Sequence, residues 1–140
     1  MPRANADRLK VADVRYLMAT WGLVVFYRTA LAIAPYRLVK YALPTGAARV
    51  APPWALARTR WAVSSASRAA FGATCLPQAL AANALLSLQG YASVVRIGVR
   101  RGQDGAVQAH AWVLSEDRVV VGDGERLESF TPLTDLGTRP

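Results

Sequence analysis

One cysteine, Cys75, and one histidine, His110, are all that this chain of 140 residues has of either type. A single cysteine excludes an internal disulfide and gives no sign of an oxidising compartment. One Cys with one His falls short of the roughly four close-spaced ligands of a typical zinc site, so neither a metal nor another cofactor is expected. Acidic residues are scarce too, 9 against 17 Lys and Arg, which leaves a net charge of +8. In the apolar N-terminal stretch the uncharged run Tyr16 to Tyr27 has 12 residues, short of the roughly 20 that cross a bilayer. Reading on to Tyr36 takes in Arg28, at a cost of about 2.5–3.5 kcal/mol on insertion scales. A spanning helix is therefore disfavoured. No small-residue cleavage site follows the stretch cleanly, so no signal peptide is expected and the chain reads as cytoplasmic.

What is present is apolar and unevenly charged. Apolar residues make up 53% and charged residues 19%, a balance that favours one folded domain with a real core over disorder. Residues 1–72 carry 11 Lys and Arg against Asp7 and Asp13, while residues 73–140 carry 6 Arg against 7 acids. A basic, apolar, helical first half suggests an anionic partner surface, with Arg8, Lys10, Arg15, Arg37 and Lys40 as contributors. No recognisable nucleic-acid motif accompanies it, so nucleic acid is not the expected partner.

Hydrophobic spacing divides the chain. Asp7 to Ala34 reads as a long helix ended by Pro35, and Tyr36 to Leu43 as a short one closed by Pro44-Thr45-Gly46. Pro53 suits the first turn of a helix over Trp54 to Phe71, with Trp54 and Trp61 on one face and expected in the core. Thr74 is a candidate cap for a helix from Cys75 to about Gln89, which Gly90 ends. The period then changes to two: Val95, Ile97 and Val99 mark one strand, Val107 to Leu114 a second and Val119 to Val121 a third. Thr131 to Pro140 has little periodicity. The expected organisation is one compact α+β domain: a basic helical region (1–72), a catalytic core (73–130) and an irregular tail (131–140), with helices on one face of a small antiparallel sheet.

The candidate chemistry lies in Cys75, His110 and Asp123. A thiol at a helix start lies near unpaired N–H groups and the positive helix end, which favour the thiolate and can hold an oxyanion. Pro77 in the first turn removes no helix bond. The hairpin adds a geometric argument. A two-residue turn at Glu116-Asp117 pairs Ser115 with Arg118, and the same register sets Asp123 opposite His110, with Cβ atoms about 4.5–5.5 Å apart. Trp112 shares that face and can shield the pair. These are the parts of a cysteine nucleophile, a histidine base and an orienting acid. Taken singly, each has a plainer reading: a small buried hydrophobe, a structural histidine, a turn aspartate.

The segment Cys75-Leu76-Pro77-Gln78-Ala79-Leu80-Ala81-Ala82, with Leu85-Leu86, Gly90-Tyr91-Ala92, Ile97-Gly98-Val99 and Ala109-His110-Ala111-Trp112-Val113, resembles the transglutaminase-like cysteine peptidases of lasso-peptide biosynthesis. The likeness covers about residues 74–124; the first 72 residues share only the family's basic, helical character. It implies Cys75 as nucleophile, His110 as base and Asp123 as the residue orienting it. The family's acid stands nearer to the histidine, and Leu114 occupies a position where an acid is common. A displaced acid, a backbone carbonyl or a water are the alternatives for holding the ring.

The resemblance also implies a reaction and a setting. The enzyme would cut a ribosomally made precursor peptide between leader and core, releasing a core amine that a separate ATP-dependent lasso cyclase joins to an acidic side chain. Because the chain offers no room for a leader-binding domain, a separate leader-binding recognition protein is the expected partner. Peripheral attachment to an anionic membrane surface is compatible with the basic half. The same residues also suit another Cys-His hydrolase or acyltransferase, and a non-catalytic basic binding module is the alternative from a different class.

Overall fold

A helix that is apolar all round must be surrounded, and this dictates the centre of the molecule. In the computed structural model, which describes residues 11–34, 43–44, 47–69, 75–123 and 126–138, that helix is Cys75–Leu88. Pro77 and every residue from Ala79 to Ser87 are buried in it. We label it α3, after α1 (Val11–Ile33) and α2 (Pro53–Ala69). Full burial of a side chain such as Leu80 or Leu86 contributes roughly 1.5–3 kcal/mol. Its one fully buried polar side chain, Asn83, is satisfied on the donor side: Nδ2 donates to the Ser93 carbonyl at 3.0 Å and to Ser93 Oγ at 2.7 Å. That contact ties α3 to the first strand.

α1 and α2 cover α3 from one side. α1 turns Thr20, Val24 and Tyr27 inward, and Tyr16, Leu17, Leu23 and Leu31 pack beside them. Polar contacts set the α1–α2 approach. Tyr16 Oη lies 3.2 Å from Thr59 Oγ1, Arg58 sits over the Tyr16 ring at 4.1 Å, and Arg58 meets Asp13 at 3.4 Å. The rest of α1 is not covered. Val11, Met18, Trp21, Phe26 and Ile33 are exposed, and the helix is long and apolar enough to cross a membrane by length and composition. Trp54 and Trp61, expected in the core, are exposed at 60% and 39%. Ala55, Thr59, Ala62, Val63 and Ala66 fill the inner face of α2 instead, because close packing against α3 favours small side chains there.

On the other side of α3 lies a four-stranded antiparallel sheet in the order β3-β2-β1-β4. Its strands are β1 (Ser93–Arg101), β2 (Val107–Ser115), β3 (Arg118–Val121) and β4 (Thr131–Thr138). Val95 and Ile97 face Val113 and Ala111 across β1 and β2, and all four join the helical core. Arg96, Gly98, Arg100, Gln108, His110 and Trp112 therefore take the outer face. The architecture is α+β, as the change of period in the sequence implies.

β4 corrects the expectation of an irregular tail. Residues 131–138 pair along β1 from Ser93↔Thr138 to Val99↔Thr131, with a register shift between Ile97 and Gly98. Pro132 and Gly137 obscure the pattern, and both are tolerated because β4 is an edge strand. Arg96 fixes the register by a two-point contact with Asp135, at 2.9 and 3.1 Å. Residues 7–10, most of the expected helix over 36–43, and Thr74 lie outside the described residues.

Candidate active site

Cys75 is the first residue of α3 and is half-buried. At that position its own N–H and that of Leu76 have no acceptor within the helix, and Pro77 has no N–H to satisfy. Two backbone donors therefore stand beside the thiol at the positive helix end, the arrangement that stabilises an oxyanion.

His110 lies where β2 loses its neighbour on the β3 side. The hairpin follows the expected register through Ser115↔Arg118 and Leu114↔Val119, and then shifts at a bulge so that Val113 faces Val121. The cause is Val120-Val121: both side chains are buried in the core, which strict alternation forbids and one extra residue permits. Asp123 is thereby moved out of the position opposite His110. The imidazole Nε2 instead lies 2.7 Å from the Gly122 carbonyl oxygen. A carbonyl only accepts, so Nε2 carries the proton, and in the neutral ring Nδ1 keeps the lone pair.

Gly122 makes this contact possible. Its φ is +100°, and a Cβ there would stand 2.6 Å from Trp112 Cβ and 2.8 Å from the Ala111 carbonyl. Two aromatic rings hold the imidazole from the sides. Trp112 stacks on it at 5.9 Å between centroids, with planes 22° apart, and Phe130 lies at 5.4 Å. Both rings are buried. Trp112 thus covers the imidazole itself, and not the His110–Asp123 pair that the sequence suggests it would shield. Phe130 has no signal in the sequence, because the strand that follows it lacks the alternation that would mark its neighbours as core.

Asp123 is engaged elsewhere. Its Oδ2 meets Arg60 Nη2, on α2, at 2.8 Å, with both side chains about half exposed. The pair links α2 to the chain leaving β3 and forms a wall of one cleft of about 350 Å³. Arg60, Ser64, Cys75, Gln78, His110, Val121, Gly122 and Asp123 line it. The fold therefore brings Cys75, His110 and Asp123 to one cleft and bonds the histidine to Gly122. Arg60 and Ser64, one helical turn apart on α2, are lining residues that spacing around Cys75 and His110 gives no means of finding. Among the described residues no group of three or more His, Cys, Asp or Glu is placed to hold a metal.

The model of the transglutaminase-like superfamily matches residues 20–135, from within α1 to within β4. No curated protein and no solved structure matches the chain.

Proposed function

The chain belongs to the transglutaminase-like superfamily, and on that premise we propose that it is a cysteine peptidase that removes the leader from a ribosomally made lasso-peptide precursor. The observation that carries the enzymatic reading is one cleft lined by both Cys75, at a helix start, and His110, whose proton is held on Nε2 by the Gly122 carbonyl. Superfamily members are typically cysteine hydrolases or transferases, and the choice of a lasso precursor rests on the sequence resemblance around Cys75 and His110.

In this reading His110 Nδ1 takes the Cys75 proton, and the thiolate attacks the carbonyl of the last leader residue. The N–H groups of Cys75 and Leu76 face the oxyanion. The core amine leaves with the proton from the imidazolium, and the leader remains as a thioester on Cys75. Water, deprotonated by His110, then hydrolyses the thioester and regenerates the thiol. Asp123 would act on His110 only through its neighbour Gly122 or through the charge it shares with Arg60.

Partners follow from the same reading: the precursor, a separate leader-binding protein and an ATP-dependent cyclase. The exposed apolar side of α1 and the basic first half support peripheral attachment to an anionic membrane.

The test is cleavage of a precursor by purified chain, with and without the leader-binding protein, followed by mass spectrometry. A partner that raises local precursor concentration can strengthen engagement by ~10²–10⁴-fold, so stimulation is expected. Cys75→Ala should lower the rate at least ~10³-fold, as loss of a nucleophile does. Cleavage retained in Cys75→Ala would sink the proposal.

A further inference from the structure

The outer face of the sheet continues from His110 toward the far end of the β1–β2 hairpin, and there it opens into a second and larger cavity. Its volume is about 580 Å³, and Arg100, Arg101, Gln108, Arg126 and Ser129 line it together with the turn Gly102 to Asp104. The lining holds three arginines and one carboxylate, that of Asp104. Asp104 already accepts the Ala106 N–H at 3.0 Å, and outside the lining Glu128 approaches Arg126 at 3.8 Å with both side chains highly exposed.

Arg100 is held in place before any ligand arrives. Its Nε donates to Gln108 Oε1 at 2.9 Å, its Nη1 donates to Ser129 Oγ at 2.9 Å, and its guanidinium lies 4.5 Å from the Phe130 ring centre. Phe130 in turn packs on His110. One ring therefore separates the arginine cavity from the base, a separation that about three residues of extended peptide span.

We propose that this cavity is a substrate subsite that receives the carboxylate of an acidic side chain, on the peptide bound at Cys75 and within a few residues of the scissile bond. The proposal rests on the peptidase reading for the identity of the ligand. Planar guanidinium groups match a carboxylate with two parallel hydrogen bonds. An ordered Arg100 loses little further freedom on binding, which favours affinity. Contact with Phe130 joins the subsite to the ring that holds the base, so an acidic peptide seated here is positioned next to His110.

The experiment is direct binding to the full chain, independent of cleavage. A fluorescein-labelled hexaglutamate peptide and its hexaglutamine counterpart are titrated by anisotropy at physiological salt. The variants are Arg101→Gln/Arg126→Gln, whose side chains are exposed, and Arg100→Gln. The glutamate peptide should bind at least about tenfold more tightly than the glutamine peptide, and the double variant should lose about tenfold, the scale of one charge-assisted hydrogen bond. Alkylation of Cys75 at the wild-type rate shows that the double variant is folded. Equal binding of the two peptides overturns the proposal. So does glutamate binding that the double variant leaves unchanged, which would place the anion on the basic first half. A chain that binds the peptide here but cleaves no precursor would refute the peptidase reading alone.

Discussion

His110 Nε2 sits 2.7 Å from the carbonyl oxygen of Gly122, and this contact decides which nitrogen of the neutral ring carries the proton. In a Cys-His-acid arrangement the orienting partner is usually a side chain. Here it is main chain, fixed by a glycine with positive φ packed against Trp112. The ring is thus oriented by the path of the backbone after β3.

Gly122→Ala tests that dependence. The new Cβ meets Trp112 and the Ala111 carbonyl, and the backbone conformation alone costs about 1–3 kcal/mol. Denaturant unfolding should show a stability loss of that order. Single-turnover cleavage should fall by at least ~10²-fold, the lower range for a misplaced general base. A folded Gly122→Ala enzyme with wild-type turnover would remove the carbonyl from the mechanism.

Asp123 and Arg60 should behave as one unit. Their ion pair is about half exposed, so Asp123→Asn and Arg60→Gln should each change stability by less than about 1 kcal/mol. Combined, the two should have little more effect than either alone. Turnover should drop less than about tenfold in each. A fall of ~10⁴-fold in Asp123→Asn, with Arg60→Gln nearly normal, would make the carboxylate a full triad member.

Tyr27 carries a pH signature. Burial raises its phenol from the usual 10.0 to about 12, because the phenolate is poorly solvated in the core. The unfolded chain releases this proton near pH 10 and the folded one near 12, so the contribution is intact below about 10 and is lost as pH rises to about 12. Stability measured across that window should decline, and less steeply in Tyr27→Phe. Identical slopes would mean that the phenol ionises without opening the helical layer.

The uncovered side of α1 should bind anionic vesicles. Sedimentation with phosphatidylserine-containing vesicles should exceed that with zwitterionic ones, and should decrease at ~0.5 M salt, where the Debye length is well below 8 Å. Trp21→Ser, which removes an exposed ring, should weaken it. Recovery wholly in the supernatant would indicate that protein, not lipid, covers this side.

Much of the fold was readable because its signals are local. α3 shows its all-round apolarity in the sequence, and the two-residue turn at Glu116-Asp117 sets the start of the hairpin as expected. The lost points depend on distant partners. Trp21 and Arg28 fit the periodicity of α1 yet are exposed, while Thr20, Val24 and Tyr27 are packed inward. A helix apolar on more than one face does not show in its own spacing which residues its neighbours will cover. The bulge at Val120 arises from burial of two adjacent valines, and it moves Asp123 out of the position opposite the histidine; Asp123 meets Arg60 instead. β4 became a strand because β1 offered an edge. The family match from residue 20 to 135 likewise runs well beyond the likeness around residues 74–124, which rested on short motifs.

The encasement of α3 has a consequence for how this protein can fail. Helices close one side of it and the sheet the other, and its residues from Ala79 to Ser87 are all out of solvent. A segment of that kind opens only with the whole domain, so its amides belong to the slowest hydrogen-exchange class. Cys75 stands at the tip of this rod, one turn before its continuously buried run. Heat or denaturant then has no partial route that detaches Cys75 while sparing the rest, and inactivation should coincide with global unfolding.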